Sequence, residues 1–142
     1  MKLMEYCNAN RLNNVDFFGS NDKDDIIDIY RTQGDLVNIL RADTVINKNA
    51  LPNKLYEAAV AGVPVVVYEH NSVISEYVHQ YYLGIVLKGR SELEQMERLL
   101  EDFDYSAYSV GRKSFLDYVP GDIDIFEETV ESFVNHTSNI SL

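Results

Sequence analysis

Hydrophobic positions in this chain alternate between two rhythms. Val15 to Phe18, Asp43 to Asn47, Val63 to Tyr68 and Gly84 to Leu87 are short β-branched or aromatic runs and read as strands. Helical spacing fills the gaps between them. Lys2 to Leu12 places Leu3, Met4, Cys7 and Leu12 on one side of a predicted helix, which Asn13-Asn14 breaks. Asp22 to Asp25 open a second helix, with acids in the first turn where the dipole favours them and Ile26, Ile27 and Tyr30 on its buried face. Gly34-Asp35 ends it, and Leu36 to Ala42 reads as a further short helical piece. Val73 to Tyr82 is helical, with Ile74, Tyr77 and Val78 on one face. Ser91 with Glu94 has the form of an N-cap for a helix running to about Glu101. Asp104 to Tyr118 and Ile123 to Val134 complete the helices, and Asn135 to Leu142 is a polar tail. Strands alternating with helices, without hairpin dipeptides, predict a parallel sheet covered on both faces.

The most informative run is Leu51 to Val67. Pro52 suits the first turn of a helix, and Gly62 suits its left-handed end. Val63 to Tyr68 then has the apolar character of a strand buried on both faces. Lys54 and Glu57 sit inside this hydrophobic unit, three residues apart and so on one helix face.

Charge and composition narrow the ligand class. The 142 residues suffice for one domain, and 46% hydrophobic with 25% charged residues is ordinary for a globular chain. A net charge of −11 argues against nucleic acid and anionic membrane surfaces, but not against a phosphate held by local donors. The single cysteine, Cys7, permits no internal disulfide and fits a reducing cytoplasm. No apolar run approaches the ~20 residues of a membrane span.

A parallel sheet binds ligands beyond the carboxyl ends of its strands, so the candidate loops are Gly19 to Asp22, Asn47 to Pro52, Glu69 to Ser72 and Lys88 to Arg90. After Leu51 and Pro52, the unpaired N–H groups of Asn53, Lys54 and Leu55 are expected to face that crevice as an anion site. Lys54 adds charge, and Glu57 can accept from a diol, as acidic residues do for ribose in dinucleotide folds. The competing reading is a plain Lys54–Glu57 surface ion pair. Asn71 or Ser72 can donate to phosphate, or the loop can simply cap the next helix. His70 lacks a paired acid for general-base work and reads as a solvated loop residue, and His79 and His136 as helix-surface residues. Asp22, Asp24, Asp25 and Asp28 lack the spacing of a calcium loop. Arg112-Lys113 reads as a surface pair and the ten tyrosines as core and rim packing. There is no Walker loop, Gly-x-Ser-x-Gly, Cys-x-x-Cys or His-Glu-x-x-His.

Asn14 to Gly19, Ala42 to Ile46, Leu51 to Val67 and Leu83 to Val86 together resemble the C-terminal, donor-binding half of GT-B glycosyltransferases, in the retaining group 1 type. The most specific block is the third, with Pro-x-Lys-x-x-Glu ahead of Ala-x-x-Gly-x-Pro. The resemblance implies an α/β fold: a Rossmann-like three-layer α/β/α domain with a mainly parallel sheet. Residues 1–142 would form a single, incomplete GT-B C-terminal domain, truncated at its N-terminus. It implies that Glu57 bonds the donor's ribose hydroxyls, that the Glu69 to Ser72 loop lies near the diphosphate, and that Gly19-Ser20 lies beside the base. Many members carry a second glutamate near the donor sugar; Asn49 stands there in this sequence, and Lys54 would take over part of that contact. The expected ligand is a UDP- or GDP-sugar, with no metal and no other cofactor.

The family's N-terminal acceptor domain has no counterpart here, nor has the strand, glycine-rich turn and Arg/Lys pair that open the donor half. The expectation is therefore a donor-binding portion, inactive alone and of hexosyltransferase type once an acceptor domain completes it. It would serve bacterial polysaccharide or glycoconjugate assembly. Its location would be cytoplasmic, or peripheral at the inner membrane through a partner chain. An incomplete sheet predicts self-association or strand completion by a partner. The alternative is a non-catalytic module, a split subunit, or a degenerate remnant without ligand.

Overall fold

Val65, Val66 and Val67 form the middle of a three-stranded parallel sheet and expose almost nothing to water. The computed structural model describes residues 2–119. In chain order the elements are α1 (Lys2–Ala9), α2 (Lys23–Gln33), β1 (Val37–Asn38), α3 (Val45–Lys48), α4 (Asn53–Ala61), β2 (Val65–Tyr68), α5 (Ser72–Tyr81) and β3 (Gly84–Leu87). A 3-10 turn (Arg90–Gln95) leads into α6 (Met96–Glu101). Residues 105–119 form α7. The strands lie in the order β1-β2-β3, with Val37 opposite Val65 and Val65 opposite Gly84.

The sheet separates two apolar layers. Val65 and Val67 point to one side, into a core with Leu55, Ala58, Ile74, Val78 and Phe115. Val66, Ile85 and Leu87 point to the other, against Leu93, Met96, Leu99 and Phe103. The period-2 alternation of a strand thus feeds both layers, which is why the run is continuously apolar. The parallel α/β character read from the sequence is what the structure shows.

Local chemistry fixes α4. Gly62 adopts φ +81°, and the N–H groups of Gly62 and Val63 donate back to the Ala59 and Ala58 carbonyls at 3.3 and 3.0 Å. That is the two-bond helix end a left-handed glycine permits. Arg112, expected as a surface residue, reaches across from α7 instead. Its Nε donates to the Ala59 carbonyl and a terminal nitrogen donates to the Val60 carbonyl at 3.1 Å. A cation at a helix C-terminus satisfies orphan carbonyls and complements the dipole.

Several boundaries differ from the sequence reading. Leu36 to Ala42 contains strand β1, not a helical piece. Val37 and Ile39 are buried while Asn38 points out, and their N–H groups donate to the Pro64 and Val66 carbonyls at 2.9 and 3.0 Å. Asp43 to Asn47 is not a strand. The Thr44 hydroxyl accepts from the Asn47 N–H at 3.2 Å and starts the short α3, leaving Val45 and Ile46 78% and 81% exposed. Val15 to Phe18 pairs with no strand among the described residues, and Phe17 and Phe18 lie exposed. An isolated extended segment gains no ladder bonds, whatever its β propensity. Helix α1 ends at Ala9, and of its expected apolar face only Cys7 is buried. Glu94 does not close a capping box; Glu92 accepts the Lys88 N–H at 2.7 Å instead. The expected helix Ile123 to Val134, the tail and His136 lie outside the described residues.

Candidate functional site

The loops after β1 and β2 meet at the carboxyl edge of the sheet, because the two strands are adjacent and parallel. The first runs from residue 39 to 52 and delivers the chain to α4. The second, residues 69 to 71, delivers it to α5. The N-termini of both helices therefore point the same way, toward the edge where such sheets take ligands.

At α4, buried Pro52 holds the N-cap position with φ −76° and ψ 146°. The N–H groups of Asn53 and Lys54 have no acceptor among the described residues. Leu55 was expected to join them, but its N–H donates to the Pro52 carbonyl at 3.0 Å. Lys54 and Asn53 are exposed, and Leu51 is half-buried behind them. Lys54 and Glu57 do not form an ion pair; the described salt bridges are Arg31–Asp28, Lys48–Asp43 and Arg98–Asp102. Glu57 is half-buried and faces α2, where its charge is the second cause, after burial, of a raised Tyr30 pKa. Two opposite charges thus stand one helical turn apart, each without a partner of opposite sign among the described residues.

At α5, Ser72 Oγ donates to the Lys48 carbonyl at 3.2 Å, and Ser75 Oγ donates to the Glu69 and Ser72 carbonyls. Asn71 is fully buried, and neither atom of its side-chain amide has a partner among the described residues. A buried amide without hydrogen bonds costs on the order of 1–3 kcal/mol, so an ordered water or ligand group is its natural complement. His70 is half-buried. Its Nε2 faces the Arg41 carbonyl at 2.9 Å, which makes Nε2 the protonated nitrogen, and its ring stacks on Tyr68 at 4.9 Å.

The remaining candidates stand apart. Asn49 ends α3, and its Nδ2 donates to the Val45 carbonyl at 2.9 Å. Gly19, at φ +76°, and Ser20 are exposed in the segment before α2, and no described hydrogen bond ties them to α4 or α5. The structure therefore brings Leu51, Asn53, Lys54, Asn71 and Ser72 to one edge and sets Glu57 a turn behind. Sequence reasoning missed the cross-loop roles of His70 and Ser72, since a hydrogen bond to a distant carbonyl leaves no spacing signal. The Lys48 ammonium beside Asp43, with help from His70, holds the Asp43 carboxyl below its usual range. Among the described residues no three His, Cys, Asp or Glu side chains gather as a metal site, and no helix is long and apolar enough to cross a membrane.

Comparisons with curated proteins and with solved structures gave no match. A family model does match: the one described as glycosyl transferases group 1 covers residues 3–106, from α1 through α6 and into the start of α7. The matched span includes both helix N-termini and every candidate residue of the crevice, and the chain belongs to the glycosyl transferases group 1 family.

Proposed function

We propose that this glycosyltransferase domain binds the nucleotide-diphosphate sugar of a retaining transfer reaction. The observation that carries the reading is the Lys54–Glu57 couple at the N-terminus of α4, unpaired among the described residues. Two unengaged N–H groups and a mobile ammonium suit a diphosphate, whose charge grows as the bond to the sugar breaks. The Glu57 carboxylate, a turn further in, suits a ribose diol. The α5 N-terminus offers a second donor beside it in the backbone N–H of Ser72, whose hydroxyl is committed to the Lys48 carbonyl, with the buried Asn71 amide, unpartnered among the described residues, behind it. No metal is required for this charge stabilisation. The donor is a UDP- or GDP-sugar, and the setting is bacterial polysaccharide or glycoconjugate assembly in the cytoplasm or at the inner membrane face.

The described sheet runs β1-β2-β3 without a reversal in strand order, and ligand crevices of open α/β sheets sit at such reversals. We place the reversal at the outer edge of β1, completed by a strand outside the described residues. That strand would come from further sequence of the same protein, from a partner chain carrying the acceptor site or from a second copy. The domain alone then binds donor weakly and turns over nothing. Isothermal titration with UDP and GDP tests the reading. Wild-type protein should bind one of them with a dissociation constant below about 1 mM, and Glu57→Ala should weaken it about tenfold or more, the value of a charged hydrogen bond. Absence of heat from both nucleotides at millimolar concentration contradicts it.

One observation favours a second reading, a non-catalytic module or remnant. Asn49 stands where a donor-sugar carboxylate would be expected, and its amide is committed to the end of α3. In that case nucleotide binding is absent while partner binding persists.

A further inference from the structure

The segment that leads into α4 is built differently from the rest of the fold. Residues 42–46, 48 and 49 are exposed, so burial does little to hold them. The segment is instead tied to itself. Lys48 Nζ pairs with Asp43 at 2.9 Å, Asn47 Nδ2 donates to the Ala42 carbonyl at 2.9 Å, and Thr44 caps α3. These bonds make a small internally braced unit, but none of them fixes where the unit sits.

Two hydrogen bonds do, among the described residues. His70 Nε2 donates to the Arg41 carbonyl at one end of the unit, and Ser72 Oγ donates to the Lys48 carbonyl at the other. Both donors come from the loop after β2, the central strand. The His70 ring is itself oriented by stacking on Tyr68, the last residue of that strand. A rigid strand end thus aims an imidazole at one carbonyl, and the first residue of α5 holds the second.

We infer that His70 is a positioning residue for nucleotide binding: with Ser72 it straps residues 41–48 onto the sheet and so sets the approach to the α4 N-terminus. This rests on the nucleotide-site reading above. His70 touches no ligand in this account; it acts through Asn49, Leu51 and Pro52, which follow the strapped unit into α4. Ligand groups are productive only when their supporting shell fixes them to within about half an ångström, so a loosened strap should appear as lost affinity.

The test compares wild type, His70→Ala and His70→Gln in the full chain. Gln carries an amide N–H at about the reach of the imidazole Nε2. Hydrogen exchange read by mass spectrometry reports on residues 42–49, calorimetry with UDP and GDP reports affinity, and thermal melting reports the fold. His70→Ala should speed exchange in residues 42–49 at least fivefold and weaken the bound nucleotide at least fivefold. His70→Gln should restore most of both, with melting temperatures within a few degrees throughout. If His70→Ala leaves exchange unchanged, the strap is wrong. If exchange rises but affinity holds, the positioning role is wrong while the nucleotide site stands. If wild type binds neither nucleotide, the site reading fails first and the positioning role falls with it, whatever the exchange data show. A large melting loss in His70→Ala that His70→Gln does not repair assigns His70 to folding and overturns the inference.

Discussion

Tyr108 lies on the inward side of α7 with its hydroxyl buried and without a hydrogen-bond partner among the described residues. Burial pushes its pKa up to about 12, and the Arg112 charge opposes the rise only in part. The folded state therefore holds the phenol proton more tightly than the unfolded chain, where the group titrates near 10. Its contribution to stability is fully present below pH 10 and is lost as pH rises toward 12. Tyr108→Phe should leave neutral-pH stability unchanged or raise it by up to about 1 kcal/mol, because it removes an unsatisfied group. It should also flatten the loss of stability above pH 10, as read by denaturant melts across pH. Glu57 offers a second check at this scale. Its charge contributes to the raised Tyr30 pKa, so Glu57→Gln should bring Tyr30 part of the way back, burial being the larger cause. NMR titration of the labelled tyrosines reads this directly; an unmoved Tyr30 would place Glu57 away from α2.

Helix α7 is held by what crosses it as much as by its own sequence. Asp104 Oδ1 accepts the N–H groups of Ser106 and Ala107 at 2.9 and 3.0 Å, an N-cap that its sequence announces. Gly111 faces the Tyr81 carbonyl at the end of α5 so closely that any Cβ would collide with it. Gly111→Ala should therefore cost about 1–3 kcal/mol in chemical denaturation, against the gain usual for alanine in a helix. An unchanged or increased midpoint would show that the helices can separate without penalty. Elements were legible where local pattern and burial agree. Val65 to Tyr68, Gly84 to Leu87, and the helix between Pro52 and Gly62 follow from apolar runs closed by special residues. They were misread where tertiary pairing decides. Leu36 to Leu40 alternates as a strand should, yet its helix-favouring leucines obscured that. Val45-Ile46 is β-branched but remains in water on a helix that a single threonine cap starts. The crevice followed the same division. Lys54 and Glu57 could be singled out, but whether they pair with each other depends on side-chain placement, which spacing does not encode.

The outer edge of β1 is unpaired among the described residues, and Asn38 blunts it by accepting the Leu40 N–H at 2.8 Å. Phe17, Phe18, Val45 and Ile46 add exposed apolar surface. An open parallel edge invites a further strand, and the net charge of −11 opposes its being a second copy at low salt. Light scattering should show self-association that strengthens with salt; a sharp monomer at high concentration and high salt would rule out a second copy as the source. The central claim, that the α4 and α5 N-termini form a nucleotide-diphosphate surface, is tested most directly by following backbone amides in NMR during titration with UDP and GDP. Saturable shifts are expected at Asn53, Lys54 and Ser72, with Glu57 and residues 49–51 following. Shifts concentrated instead in the groove lined by Gln80, Tyr82, Asp104 and Val110 between α5 and α7, or no shifts at millimolar nucleotide, would contradict it.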